Sequence, residues 1–162
     1  NKLMTNYKEC NNICRVSDGC DKLLPNEVDN VVLAGLGGNE ITNILFRAFK
    51  ENKQYKKYIL SPNKDVDKVK AILIQNGYGI KEDQYALEAG VYYSIFSAIK
   101  GGTIPIGNEI YYGINFRTDP LFKEFCYKRI NHLEEILKTH GHAEGIEKEL
   151  KRLYEAKGEV II

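Results

Sequence analysis

The chain has 162 residues, 43% of them hydrophobic and 28% charged, with a formal net charge of +1. This suits one globular domain with a small appendage. No apolar run approaches a transmembrane span, no signal-peptide pattern is present, and the near-neutral balance names no partner class. Cys10, Cys14, Cys20 and Cys126 form no C-x2-C pair and the first three have no histidine nearby, so reduced thiols of a cytoplasmic protein are expected and zinc is not. The chain begins at Asn1 rather than Met, which reads as removal of something from its N-terminus.

Residues 1–12 are polar and without a strong period. Ile13–Val16 is a short strand candidate ending in the turn signal Ser17-Asp18-Gly19. Asp18 reads either as a bare turn residue or as an acid at a strand end that hydrogen-bonds a nucleoside. Leu23–Glu27, with Pro25, is a connector.

Val31–Glu40, V-V-L-A-G-L-G-G-N-E, is the most informative stretch. An apolar run closed by glycine predicts a strand buried on both faces of a parallel sheet. Gly35, Gly37 and Gly38 predict a turn in which a ligand touches backbone at the carboxyl end of that strand, with positive φ at Gly37. Asn39 is the expected N-cap of a helix running to about Asn52. The same turn also reads as a plain joint between strand and helix. Its spacing, G-x-G-G-x-E, lacks the third glycine of the dinucleotide fingerprint, and Ser61-Pro62-Asn63 stands where that fingerprint needs an acid. A nucleotide-dependent oxidoreductase is therefore disfavoured.

Tyr58–Leu60 predicts a second buried strand, stopped by Pro62. Val66, Val69, Ile72 and Leu73 give helix spacing over Lys64–Asn76, with Gly77 at the C′ position. Tyr78–Leu87 and Val91–Lys100 predict an antiparallel hairpin joined at Glu88-Ala89-Gly90. Tyr92 and Tyr93 face opposite ways, so at most one turns to a site. After a loop at Gly101–Gly107, Asp119 and Pro120 open a long amphipathic helix, broken at Gly141 and Gly145. Ile146, Leu150, Leu153 and Tyr154 mark its partner in a helical hairpin. His140 and His142 fall in an exposed turn between the two helices. From Arg47 to Lys70 there are eight Lys/Arg against three Asp/Glu, which reads as a phosphate-facing surface or as solvated helix faces.

A parallel sheet that finishes in an antiparallel hairpin is the C-terminal half of a Rossmann-like methyltransferase. In register along the chain stand Arg15-Val-Ser-Asp-Gly19, Val28-Asp-Asn-Val-Val-Leu-Ala-Gly-Leu-Gly-Gly38, Ser61-Pro62-Asn63, Asn76-Gly77-Tyr78, Gly90-Val-Tyr-Tyr-Ser-Ile95 and Tyr112-Gly113. This ordered set resembles the bacterial tRNA (adenine-N1)-methyltransferases acting on nucleotide twenty-two, the TrmK-like family. Leu36 replaces the Met of that family's A-G-M-G-G turn, and Ser61 the Gln of its Q-P-N.

The resemblance implies an α/β fold. Residues 1–107 would form part of a Rossmann-like methyltransferase sheet, and residues 108–162 a coiled-coil-like helical hairpin. It implies S-adenosylmethionine as cofactor, tRNA as partner and a cytoplasmic setting. Asp18 and Gly19 would meet the cofactor's adenine. Ala34, Gly35, Gly37 and Gly38 would border cofactor and target base. Asn63, otherwise a turn residue, would supply a polar contact to that base or to the loop, as the catalytic residue. Arg47, Lys50, Lys53, Lys56, Lys57 and the helical hairpin would grip tRNA, the hairpin reading equally as a dimerisation or packing element.

The family's first two strands and glycine-rich cofactor loop have no counterpart here. The sequence thus reads as a fragment of a longer enzyme or as a shortened homologue, inactive and weak in cofactor binding by itself. A non-catalytic RNA-binding or interaction protein of the same half-fold is the competing class. The free edge of the Val31–Ala34 strand is expected to be covered by a second copy, by residues 1–16 or by another segment.

Overall fold

The computed structural model describes residues 13–160. Strand β1 (Asn30–Ala34), helix α1 (Gly38–Lys50), strand β2 (Lys57–Ser61) and helix α2 (Val66–Gln75) come first. Strands β3 (Tyr78–Glu88) and β4 (Val91–Lys100) follow, then helices α3 (Glu109–Tyr112), α4 (Pro120–His140) and α5 (Glu144–Glu159). One sheet has the order β1-β2-β4-β3, with β1 and β2 parallel and the other pairings antiparallel. The expected α/β plan, a parallel pair closing in a hairpin, is borne out.

Local chemistry explains the elements. Ile41, Ile44, Leu45, Ala48 and Phe49 line one stripe of α1 at helical spacing and are buried against Val31, Leu33, Tyr58 and Leu60 of the sheet. Ala89 and Gly90, both at positive φ, make the two-residue turn between β3 and β4. Asp119 caps α4, its carboxylate accepting from the Leu121 and Phe122 amides, and it also accepts the Tyr85 amide of β3 at 3.0 Å. Gly141 ends α4 at φ 80°, while Gly145 lies inside the first turn of α5 rather than breaking the chain there. A second core of Phe116, Phe122, Cys126, Ile130, Leu133 and Leu153 joins α3, α4 and α5.

Two further expectations fail for physical reasons. Ile13–Val16 is not a strand: Ile13 is 79% and Val16 98% exposed. An extended segment without a neighbouring strand leaves its backbone groups to water and gains nothing from pairing. Nor is β1 buried on both faces. Its pattern alternates, with Val31 and Leu33 inward and Val32 63% exposed. Helices α1 and α2 close one face of the sheet only. The opposite face, carrying Val32, Ile59, Ile95 and Ile99, is closed by no described helix. The outer edge of β1 has no partner among the described residues. Residues 13–16 do not cover it, and residues 1–12 lie outside the described residues.

Candidate active site

The glycine turn sits at the carboxyl end of β1 and is strapped to the end of β2. The Gly35 amide donates to the Ser61 carbonyl at 3.2 Å, and the Asn63 amide to the Leu36 carbonyl at 2.9 Å. Asn63 Nδ2 donates to the Gly35 carbonyl at 3.1 Å. The three glycines serve different ends. Gly35 adopts φ +74°, and a Cβ there would meet nothing within 4 Å. Gly37 lies at φ −68° and ψ 148°, ordinary extended backbone, so the expected positive φ is not there. It is Gly37, not Asn39, that caps α1. Asn39 is inside the first turn and accepts from Lys68 Nζ at 3.1 Å. Gly38 is buried, and a Cβ on it would stand 2.3 Å from the Lys64 carbonyl. Gly35 and Gly37 therefore keep backbone open at the strand end, while Gly38 lets the 64–65 backbone cross.

Ala34, exposed and paired with Ser61, completes this rim. Asp18 and Gly19 are not part of it. A Cβ on Gly19 would meet Ile44 at 2.6 Å, and the Asp18 carboxylate pairs with Arg47 at 2.8 Å. Those partners lie six and nine residues beyond Gly38, roughly 9–14 Å along α1 at the helical rise. The expected cofactor contacts thus fall in two places.

The basic stretch does not form one face. Lys53 is 6% exposed and donates to the Asp21 carbonyl at 2.8 Å. Arg47 is taken by Asp18 and Asp21, Lys56 pairs with Asp29, and Lys57 reaches Glu82. Lys50 is exposed at the end of α1. Charged residues that find partners inside the fold are not available as a common phosphate surface.

One strand over from the glycine turn, a cleft of about 580 Å³ opens between the sheet and the helical hairpin. The last β2–β4 pair is Leu60 with Phe96, so among the described residues Val91–Ile95 has only β3 beside it and forms the floor of that space. Pro62, Asn63 and Lys64 stand at one side; Tyr111, Phe125 and Arg152 come from the helices. Tyr92 lines the cleft and Tyr93 does not, as their alternation requires. Burial pushes the phenols of Tyr85 and Tyr112 above their ordinary range, with Arg152 working against the rise at Tyr112. Sequence reasoning missed Tyr85, Ser94, Tyr111, Phe125, Arg129 and Arg152. The one local sign was the alternation that puts Ser94 on the same side as Tyr92.

A mixed sheet with helices on one face, a glycine turn at the end of a parallel strand and a closing hairpin define a Rossmann-like methyltransferase fold. A profile described as a methyltransferase domain matches residues 2–96, and the chain belongs to that family. Solved structures of like fold include Streptococcus pneumoniae Sp1610 in complex with S-adenosyl-L-methionine, at 22% identity and TM-score 0.75, with 88% of this chain and 67% of that one covered. M. capricolum TrmK in complex with S-adenosyl-homocysteine also gives 22% and 0.75, with coverage of 91% and 69%. The B. subtilis m1A22 tRNA methyltransferase TrmK gives 20% and 0.67, with coverage of 90% and 67%. This chain thus spans about two thirds of the length of these structures. No curated protein matches the sequence. The suspected TrmK-like fold is borne out.

The division of labour among the glycines is testable by urea denaturation. Gly38→Ala should lower stability by about 2 kcal/mol or more, because backbone must move. Gly37→Ser should leave it within about 0.5 kcal/mol, since extended backbone at an N-cap suits serine. Equal losses in the two variants would contradict the assignment.

Proposed function

We propose that this chain serves S-adenosylmethionine-dependent methylation of adenine N1 in tRNA. One observation carries the reading: the open backbone of Gly35 and Gly37 is strapped by Asn63 to the mouth of an aromatic cleft. The methyltransferase family and the TrmK structures of like fold support it. Residues 1–107 are the methyltransferase part and residues 108–162 the helical hairpin that faces RNA. The setting is the cytoplasm; no described helix is long and apolar enough to cross a membrane.

S-adenosylmethionine, when bound, supplies a methyl group already activated on a sulfonium. Ala34, Gly35 and Gly37 would hold that end of the cofactor against backbone, and the adenine would reach Asp18 and Gly19 only where Asp18 gives up its pairing with Arg47. The protein's main task is then positioning: the N1 lone pair of a flipped-out adenine must lie in line with the methyl carbon. Adenine N1 carries a lone pair and no proton, so no side chain has to act as a base toward it. Asn63 Nδ2 is committed to Gly35, and its Oδ1 accepts no hydrogen bond among the described residues. That oxygen is placed to accept from the adenine amino group, which orients N1. Lys50, exposed at the end of α1, and the helical hairpin contact the rest of the tRNA.

A second reading, RNA binding without methyl transfer, is favoured by the distance of Asp18 from the glycine turn. Labelled methyl incorporation into tRNA transcripts decides between them. Joined to the family's first two strands and cofactor loop, the chain should transfer methyl groups, and Asn63→Ala in that protein should lower kcat/KM about 100-fold with the unfolding midpoint unchanged. Equal rates would remove Asn63 from the site, and no transfer by either protein would favour the second reading. The β1 edge, unpaired among the described residues, is also a partner surface, where a further strand pairs. Light scattering should show mass rising with protein concentration, and falling back in Val32→Lys; a constant monomer mass would contradict this.

A further inference from the structure

The cleft holds a polar atom that the fold itself does not use. Ser94 is 9% exposed, and its hydroxyl has no hydrogen-bond partner. It stands in β4 directly across from Tyr85 of β3, on the cleft floor. A buried hydroxyl left unpaired is costly, so a polar group of a ligand is the natural partner there. Arg152 Nε is likewise buried and unpaired, and its guanidinium lies 4.6 Å from the Tyr111 ring centroid.

Around these atoms stand flat apolar faces. Phe125 meets Tyr85 at 5.4 Å and Tyr92 at 5.8 Å between ring centroids, and Tyr111 lines the cleft from α3. Charge in the cleft is nearly balanced. Lys64, Arg129 and Arg152 stand against Asp65, Asp67 and Glu149, and Arg129 is engaged by Glu149 at 2.7 and 3.1 Å. A phosphate finds little net attraction in such a space. An uncharged, planar, nitrogen-rich ring finds stacking surfaces and edge partners, the combination that proteins use for unstacked RNA bases.

We propose that Ser94 is the specificity-determining hydroxyl of a nucleobase pocket for single-stranded RNA. The hydroxyl donates to a ring nitrogen of one unstacked adenine other than N1. Tyr92 and Tyr111 supply stacking faces, and the phosphates stay outside the cleft. This rests on the reading of the chain as an RNA methyltransferase, and it adds which residues recognise the base and how.

The test titrates the full 162-residue chain with a short single-stranded oligoribonucleotide carrying one 2-aminopurine, and follows its fluorescence. Quenching is expected with the unaltered chain and with Ser94→Thr, which keeps the hydroxyl. Ser94→Val should weaken binding about tenfold, and Tyr92→Leu should lose most of the quenching, both with unchanged unfolding midpoints. Equal affinity of Ser94→Val and the unaltered chain would overturn the proposal. Adenosine monophosphate competing as tightly as the oligonucleotide would also overturn it, assigning the pocket to free nucleotides. No methyl donor is needed. Quenching by the chain, together with no S-adenosylhomocysteine binding by calorimetry even when the chain is joined to the family's first two strands and cofactor loop, therefore upholds the pocket and removes the methyltransferase reading. Cofactor binding without quenching does the reverse.

Discussion

A buried ion pair holds the two cores of this protein in register. Lys70 of α2 and Asp83 of β3 are both fully enclosed, with Nζ 2.8 Å from Oδ2. The same ammonium donates to the Glu109 carbonyl at 3.1 Å and faces the Phe96 ring at 5.2 Å. Burial pushes the Lys70 ammonium down and the Asp83 carboxyl up, and their attraction opposes both shifts. Losing either partner leaves a charge stranded in the core, at a cost of about 3–5 kcal/mol. The surroundings are built to accommodate the pair. A register shift between Ile80 and Glu82 precedes Asp83, and Gly113 leaves room where a Cβ would stand 2.6 Å from its carboxylate. From there Arg117 bridges Glu109 of α3 and Glu159 of α5 at 2.6 Å each. The helical hairpin is thereby held over the far end of β3 and β4, and that placement creates the cleft.

The half-covered sheet is the second constraint. Helices α1 and α2 shield one face, and the cleft opens on that same side, past the point where β4 outruns β2. Backbone at the glycine turn, the amide of Asn63 and the floor at Ser94 follow one another across β1, β2 and β4. A donor group at the turn and an acceptor base in the cleft would thus meet near Asn63. The opposite face and the β1 edge remain open among the described residues. They are where the fold has surface to bury, separate from the chemistry.

Much of the fold was legible because its signals are local. The glycine that closes β1, the turn at Ala89-Gly90, the cap at Asp119 and the stop at Gly141 each act within a few residues. Ile13–Val16 misled because strand formation depends on a neighbour that a short window cannot reveal. The two-faced burial expected of β1 failed for the same reason: only other elements decide whether Val32 is covered. Lys53 and Lys70 belong to a run that reads as a basic surface, yet Lys70 is buried because Asp83, thirteen residues away, meets it. The cleft was illegible altogether. Its residues come from the 62–65 loop, the β3–β4 hairpin and four helices, and only the folded joint brings Ser94, Tyr111 and Arg152 together.

The central claim is that a methyl-accepting adenine sits beside the glycine turn, in the space that the helical hairpin completes. A crystal structure of the chain with S-adenosylhomocysteine and a short adenine-containing oligoribonucleotide addresses it most directly. The account predicts density for one unstacked adenine in the cleft, its N1 toward Gly35 and Gly37 and its edge within hydrogen-bonding distance of Asn63 and Ser94. RNA bound instead on the open sheet face of Ile59 and Ile95, with the cleft empty, would contradict it.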